Sequence, residues 1–280
     1  MKLLWQIGKA DNDTAEFALG RGGYKEFGRD GFFIVGRSDP KRDWPYAHPG
    51  PADFWAGGRA HTFTVFFGLR KAGGRGRLVV DLVDTHGLRP PTLRIEVNGR
   101  AFEHRVPRGA SDASILGKPS VGREHRFSIA LPDGVLKEGL NEIAITNVGL
   151  SWVLYDWLGL EIDGSAELAA PEGALLRSAR LVPWLSRKDG KLSQPLEVTL
   201  FCLGPSKGLT LHATGMAARK LDLAPGVSSI ELRLPRAEAA RAVTVELRRA
   251  GKTLAKRRFV QKPAAERRPV DYVDCLLGTS

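Results

Sequence analysis

Runs of residues that alternate between apolar and polar at every second position, broken by Gly, Pro, Asn and Asp, dominate this chain. His61–Leu69 is dense in β-branched and aromatic residues. Arg77–Asp84 follows a Gly- and Arg-rich turn, and Thr92–Val97 alternates before Asn98-Gly99. Asn-Gly is the strongest short hairpin signal, because both residues accept the positive φ angles of a tight turn. Arg126–Leu131 alternates again and stops at Pro132-Asp133-Gly134. Asn141–Asn147 and the long, largely apolar Trp152–Ile162 complete the set. Several strands with turn signals at short intervals predict a β-sandwich or barrel.

The texture changes after residue 163. Gly164–Gly173 (GSAELAAPEG) reads as a small-residue connection, and a domain boundary is placed near it. Alternation then resumes in Ser178–Leu185, Leu196–Cys202, Leu209–Ala213, Ser229–Leu234, Ala242–Arg248 and Thr253–Val260. Six or seven short strands in under 100 residues have the size and pattern of an immunoglobulin-like sandwich, here over 174–262. Only Pro235–Arg241 looks briefly helical; Lys262–Pro269 reads as a linker and Val270–Ser280 begins a new apolar element.

Composition narrows the function classes. With 42% hydrophobic and 26% charged residues the chain is globular rather than disordered. No apolar run approaches the ~18 residues of a membrane helix, so no membrane partner is expected. Met1–Gln6 is followed by no apolar stretch of the kind that marks a signal peptide. Two cysteines, Cys202 and Cys275, cannot build a disulfide scaffold or a four-cysteine zinc site. The net charge of +11 sits unevenly: residues 1–163 carry +2 and residues 164–280 carry +9. Its densest stretch, Arg248–Arg258, reads as a hairpin with its turn at Gly251. A polyanion patch and a charge-protected sheet edge both fit, and the second is preferred because no aromatic residues interleave with the basic ones. Nucleic acid is accordingly a disfavoured partner.

An ordered set of motifs runs through the first half: Trp5-Gln6-Ile7-Gly8, Asp43-Trp44-Pro45-Tyr46-Ala47-His48, Leu136–Ile143 (LKEGLNEI) and Tyr155–Glu161 (YDWLGLE). Together they resemble the C-terminal jelly-roll module of rhamnogalacturonan lyases, polysaccharide lyase family 4, over residues 3–163. The resemblance implies a galactose-binding-like β-sandwich, similar to carbohydrate-binding modules, with the lyase chemistry in another domain. It also implies an exported protein, although no export signal is visible. Asp271–Ser280 (DYVDCLLGTS) resembles the opening of the catalytic part of glycoside hydrolase family 92, the exo-acting α-mannosidases. That likeness implies a catalytic domain C-terminal to this chain and makes 263–280 a linker plus the start of that domain.

The expected fold class is therefore all-β: a jelly-roll over 1–163 followed by a smaller immunoglobulin-like sandwich. The expected function is that of a non-catalytic accessory region binding a carbohydrate polymer. A sugar needs a flat apolar platform for its C–H face and polar groups for its hydroxyls. Residues 43–61 offer both, and Trp44, Tyr46, His48, Trp55 and Arg59 are the candidate binding residues. For Trp44 and Tyr46 the alternative is that they cover the end of the core. Trp5, Trp152 and Trp157 sit on apolar strands and read as core, and Tyr155-Asp156 as a buried hydroxyl with its acceptor. Asp11 and Asp13 crowd oxygen ligands into one turn and are candidates for a structural calcium ion, although Asx turns use the same residues. No other cofactor is expected. No nucleophile elbow, metal-ligand spacing or phosphate loop points to catalytic residues, so none is assigned. Lyase or glycosidase activity in the chain's own right, and a purely structural spacer, remain as alternatives.

Overall fold

The computed structural model describes residues 1–188, 190–204 and 208–264. The chain falls into two compact units, Met1–Pro171 and Glu172–Ser280. The segment Val270–Ser280, with its family 92 likeness and Cys275, lies outside the described residues.

The first unit holds β1 (Lys2–Gly8), β2 (Phe32–Ile34), β3 (Ala47–His48), β4 (His61–Lys71), β5 (Gly76–Thr85), β6 (Thr92–Val97), β7 (Arg100–Arg105), β8 (His125–Leu131), β9 (Gly139–Gly149), β10 (Val153–Ile162) and β11 (Glu167–Ala169). One sheet runs β1-β10-β5-β8 with β3 also on β10; the other runs β11-β4-β9-β6-β7 with β2 on β4. All pairings except the parallel β2–β4 are antiparallel. The two facing sheets are the β-sandwich expected from the alternating runs, in the jelly-roll form that the resemblance implies. The segment read as a free connection, Gly164–Gly173, instead adds β11 to the edge of β4. Gly68 permits this close approach, since a Cβ there would lie 2.7 Å from the Ala169 carbonyl oxygen.

The inner faces of the two sheets supply a core of Trp, Phe, Tyr, Ile, Leu and Val. Trp44 and Tyr46 are fully buried in it, and so is His48. They are therefore not a sugar platform, and that expectation is corrected. The reason is spacing: residues 44, 46 and 48 point to one side of an extended segment, and β3 pins that side onto β10. Trp44 meets Phe63 at 5.2 Å and Tyr155 at 5.4 Å between ring centroids. His48 stacks on Phe63 at 3.9 Å. Its Nδ1 lies 2.9 Å from the Tyr155 hydroxyl and its Nε2 2.9 Å from the His61 carbonyl oxygen. Trp5 and Trp152 join this core as expected. Trp157 is buried outside it, beneath the Arg126 guanidinium at 5.1 Å.

The second unit holds β12 (Ala174–Leu181), β13 (Ser186–Lys188), β14 (Lys191–Cys202), β15 (Leu209–Ala213), β16 (Arg219–Leu221), β17 (Gly226–Pro235), β18 (Arg241–Arg249) and β19 (Lys252–Gln261). β14 pairs with β12, β13 and β17, and the facing sheet runs β16-β15-β18-β19. Together they form the smaller immunoglobulin-like sandwich. Cys202 is buried in its core, as its apolar strand implies. Pro235–Arg241 is not helical: β17 ends at Pro235 and β18 starts at Arg241, too short a span for a helix. The basic hairpin turns at Ala250-Gly251, both with positive φ. β19 is the terminal strand of its sheet, and Glu246 accepts from Arg248 and from Lys256 at 3.1 Å. The charges thus line a sheet edge, which suppresses edge-to-edge pairing. No helix among the described residues is long and apolar enough to cross a membrane.

Trp44→Ala is expected to lower the unfolding free energy of the first unit by about 3–5 kcal/mol, measured by urea denaturation. A loss below about 1 kcal/mol would place the indole at the surface instead.

A loop cleft at one end of the jelly-roll and an acidic turn

Antiparallel pairing brings five connections to one end of the first unit: those after β1, β3, β5, β7 and β9. They enclose a cleft of about 320 Å³. Tyr24 and Trp55 line it from the first two connections, His86 and Arg89 from the third, Asp112 and Leu116 from the fourth, and Ser151 and Trp152 from the fifth.

Trp55, one of the candidate residues, lines the cleft. It is half-buried, set edge-on against Tyr24 at 5.0 Å and Phe27 at 6.0 Å. Asp53 beneath it is 5% exposed. Its carboxylate accepts the Gly50 N–H at 2.8 Å and the Ser151 hydroxyl at 2.5 Å. Burial pushes the Asp53 carboxyl above its ordinary range against these two donors. Gly50 allows the loop to sit this close, because a Cβ there would be 2.6 Å from the Leu150 carbonyl oxygen. The loop is thus tied to the turn that carries Trp152.

The opposite wall is polar. His86 Nδ1 accepts the backbone N–H groups of Leu88 at 3.2 Å and Arg89 at 3.0 Å. With Nδ1 used as an acceptor, the ring's N–H is at Nε2, which lies 3.9 Å from Asp112. Arg89 is exposed and has no ion-pair partner among the described residues. Three exposed apolar side chains, Phe54, Leu88 and Leu116, come from three of these connections. The cleft therefore joins an indole face with a guanidinium, an imidazole N–H and a carboxylate, the mixture that small-molecule sites use.

Of the five candidate residues only Trp55 is in the cleft. Arg59 is exposed but turned to Asp30 at 3.3 Å, where it meets His61 on the same carboxylate. His86, Arg89 and Asp112 were missed because the first two lie on a different connection from the third, and both connections are far in sequence from Trp55.

The acidic turn lies elsewhere, after β1. Ligand oxygens of Asp11, Glu16 and Asp156 all fall within 4.8 Å of one another. Asp13 is not among them, which corrects its candidacy. Its carboxylate accepts the Thr14 and Ala15 N–H groups at 2.6 and 3.1 Å and pairs with Arg21, as an Asx turn does. Arg21 holds the Asp13 carboxyl below its ordinary range. Asp156 was read as the acceptor of the Tyr155 hydroxyl, but that hydroxyl goes to His48, and Asp156 accepts the Asp11 N–H at 3.3 Å. Burial, with Asp81 and Asp11 nearby, pushes Asp156 up to about 7. Burial likewise raises Glu16. Three oxygen donors, two from the turn after β1 and one from β10, two of them reluctant to ionise alone, fit a hard divalent cation.

The comparisons bear on the first unit. A rhamnogalacturonate lyase of Dickeya dadantii (strain 3937) is 29% identical over 168 residues, which cover 56% of this chain and 27% of the relative. The chain thus spans about a quarter of that lyase's length. Among solved structures, a family 2 β-galacturonidase of Eisenbergiella tayi bound to galacturonate is 16% identical, with 72% of this chain and 35% of that one covered and a TM-score of 0.29. A family 35 carbohydrate-binding module of Cellvibrio japonicus is 13% identical, with 59% and 97% covered and a TM-score of 0.29. At these scores neither structure adds to the topology already described. Residues 3–160 match the family model described as CBM-like, polysaccharide lyase family 4, domain III, and the chain belongs to that family.

Proposed function

We propose that the first unit is a carbohydrate-binding accessory module and that its ligand lies in the loop cleft on Trp55. The observation that carries this is the meeting of one half-exposed indole, on a loop that Asp53 fixes, with Arg89, His86 and Asp112 across a space of ligand size. The indole offers its face to the C–H side of a sugar ring, and the polar wall exchanges hydrogen bonds with hydroxyls. The unpaired Arg89 guanidinium suits a carboxylate on the chain, as on the rhamnogalacturonate named for the Dickeya relative. Acting beside a catalytic domain, such a module would raise the local concentration of polymer rather than cleave it.

The test is calorimetric titration of the full chain with rhamnogalacturonan oligosaccharides. Trp55→Ala is expected to weaken binding about 30-fold, the effect of removing a central aromatic anchor worth about 2 kcal/mol. Trp44→Phe, in the core, is expected to leave the affinity unchanged. Absence of saturable binding by the parent chain would overturn the reading in favour of a spacer, and release of new reducing ends would do so in favour of an enzyme.

A separate reading is proposed for the acidic turn: Asp11, Glu16 and Asp156 hold a divalent cation such as Ca²⁺. Without a cation, the raised Asp156 means that the folded state binds more protons than the unfolded state between about pH 4 and 7. Stability is then lost as pH rises through that window, and a bound cation offsets the loss. Millimolar Ca²⁺ is expected to raise the melting temperature by several degrees at pH 8 and much less at pH 5. Asp156→Asn is expected to abolish this increment and, in chelator, to melt higher than the parent at pH 8. A melting temperature indifferent to Ca²⁺ at pH 8 would refute the site.

A further inference from the structure

The first unit contains a contact that neither the fold nor the cleft chemistry has used. His104 on β7 and His125 on β8 meet with their Nε2 atoms 2.9 Å apart. β7 is the last strand of one sheet and β8 the last of the other. Both side chains point inward, since His104 stands opposite Leu93 and His125 opposite Leu82, two fully buried residues. His104 lies flat on Phe127, with ring centroids 3.7 Å apart. The pair therefore closes the open side of the sandwich across its two sheets.

Its geometry is that of a hydrogen bond. The two imidazole centroids are 5.2 Å apart, as far as nitrogens in 2.9 Å contact allow, so the rings meet head-on. One Nε2–H donates to the lone pair of the other. An ion between them is not accommodated, because two bonds of about 2.0–2.1 Å each would need the nitrogens roughly 4 Å apart along that line. The contact survives one added proton, which goes to a ring nitrogen outside the bond. It does not survive two, because both Nε2 atoms then carry hydrogen and two cations face each other.

The position gives the contact a consequence. β7 and β8 are the two ends of the segment 106–124, which supplies Asp112, Ile115 and Leu116 to the cleft. Inside the segment Asp84 accepts the N–H groups of Ala110 and Arg123 and the Ser114 hydroxyl, at 2.9, 3.1 and 2.6 Å. The histidine pair is the tie at the stem. We propose that His104 and His125 form an acid-operated clasp whose opening loosens the 106–124 wall of the cleft and weakens ligand binding there. The gating half rests on the carbohydrate-binding reading; the clasp itself does not.

The charged neighbours favour proton control. Glu103 and Arg105 on β7, Glu124 just before β8 and Arg126 on it flank the pair; Arg126 goes to Asp81 and Glu124 accepts from Asn12. β5 and β6 present Leu82, Val80, Leu93 and Ile95 to it and no charge. Burial lowers both imidazoles, and His125 lowers His104 further. The closed state thus binds fewer protons than the open one below the ordinary imidazole range near pH 6.5, so the clasp weakens as pH falls. The two rings titrate as a coupled pair, and the second proton opens it.

Hydrogen exchange of the full chain, corrected for intrinsic rate, tests the clasp at pH 7 and pH 5. Peptides covering 102–106 and 123–127 are expected to lose about tenfold in protection at pH 5 while β9 holds. His125→Phe, which can stack on Phe127 without titrating, is expected to remove that pH response; should it fail to fold, His125→Gln makes the same comparison. Equal pH responses in parent and variant would overturn the clasp. Titration with rhamnogalacturonan oligosaccharide at both pH values tests the gating: affinity is expected to fall several-fold at pH 5 in the parent and not in the variant. If the stem loosens while affinity is unmoved, gating is refuted. If the stem loosens and no ligand binds at either pH, the binding reading fails and the clasp stands.

Discussion

The contact between His48 and its three partners decides what the rest of the first unit can do. The imidazole belongs to the sheet of β10 through the backbone of β3 and reaches the other sheet by stacking on Phe63 of β4. Its two nitrogens need one donor and one acceptor, and the Tyr155 hydroxyl and His61 carbonyl supply them. A buried polar ring fully satisfied in this way fixes one register, because a shift of one residue on β3 would strand it without partners. Trp44 and Tyr46 follow it inward, and Tyr46 donates its hydroxyl to the Ile115 carbonyl at 2.6 Å. The segment that opens the 49–60 loop is thereby immobilised, and Trp55 is held where the loop emerges.

This explains what was legible in the residues and what was not. Strand content was legible because period-two alternation is a local property, and Asn98-Gly99 and Gly251 mark their turns by the backbone angles they accept. Buried Trp5, Trp152 and Cys202 were legible from the largely apolar strands they sit in or beside. Trp44, Tyr46 and His48 were misread as a binding loop because Pro45 and Pro49-Gly50-Pro51 look like loop punctuation. Their spacing of two was the contrary signal: three large residues on one side of an extended stretch belong to a core. The cleft itself was not legible. Its wall comes from connections dozens of residues apart, and only antiparallel pairing places His86, Asp112 and Trp55 at one end.

The same unit carries two buried acid–base commitments of opposite sign. Burial pushes His48 down to about 4, so the folded state refuses a proton that the unfolded chain takes near pH 6.5 and stability declines as pH falls toward 4. Asp156, pushed up to about 7, makes stability decline as pH rises over much of the same range. Neither group can be relieved without rearrangement: His48 is sealed between Phe63 and Tyr155, while Asp156 has Asp11 and Glu16 close by. The sandwich core tolerates the first by hydrogen bonding alone. The second is relieved by positive charge, and Arg126, the nearest guanidinium to its neighbour Asp81, is spread over Trp157.

Whether a cleft binds or cleaves turns on which of its groups are free. Hydrolysis of a glycosidic bond ordinarily needs two carboxyl groups, one to give a proton and one to act as base or nucleophile. The cleft has Asp53 and Asp112. Asp53 is committed: Gly50 and Ser151 both donate to it, and burial is set against its charge. To act as an acid or base it would have to release the loop and the turn that these bonds join. Asp112 is exposed, with His86 Nε2 at 3.9 Å, and is left to accept hydroxyl hydrogens. Arg89 cannot serve as a base at any ordinary pH, because a guanidinium does not give up its proton. The buried acid of this cleft is thus spent on fixing the loop that carries Trp55 against the turn that carries Trp152, which supports the docking role proposed for it.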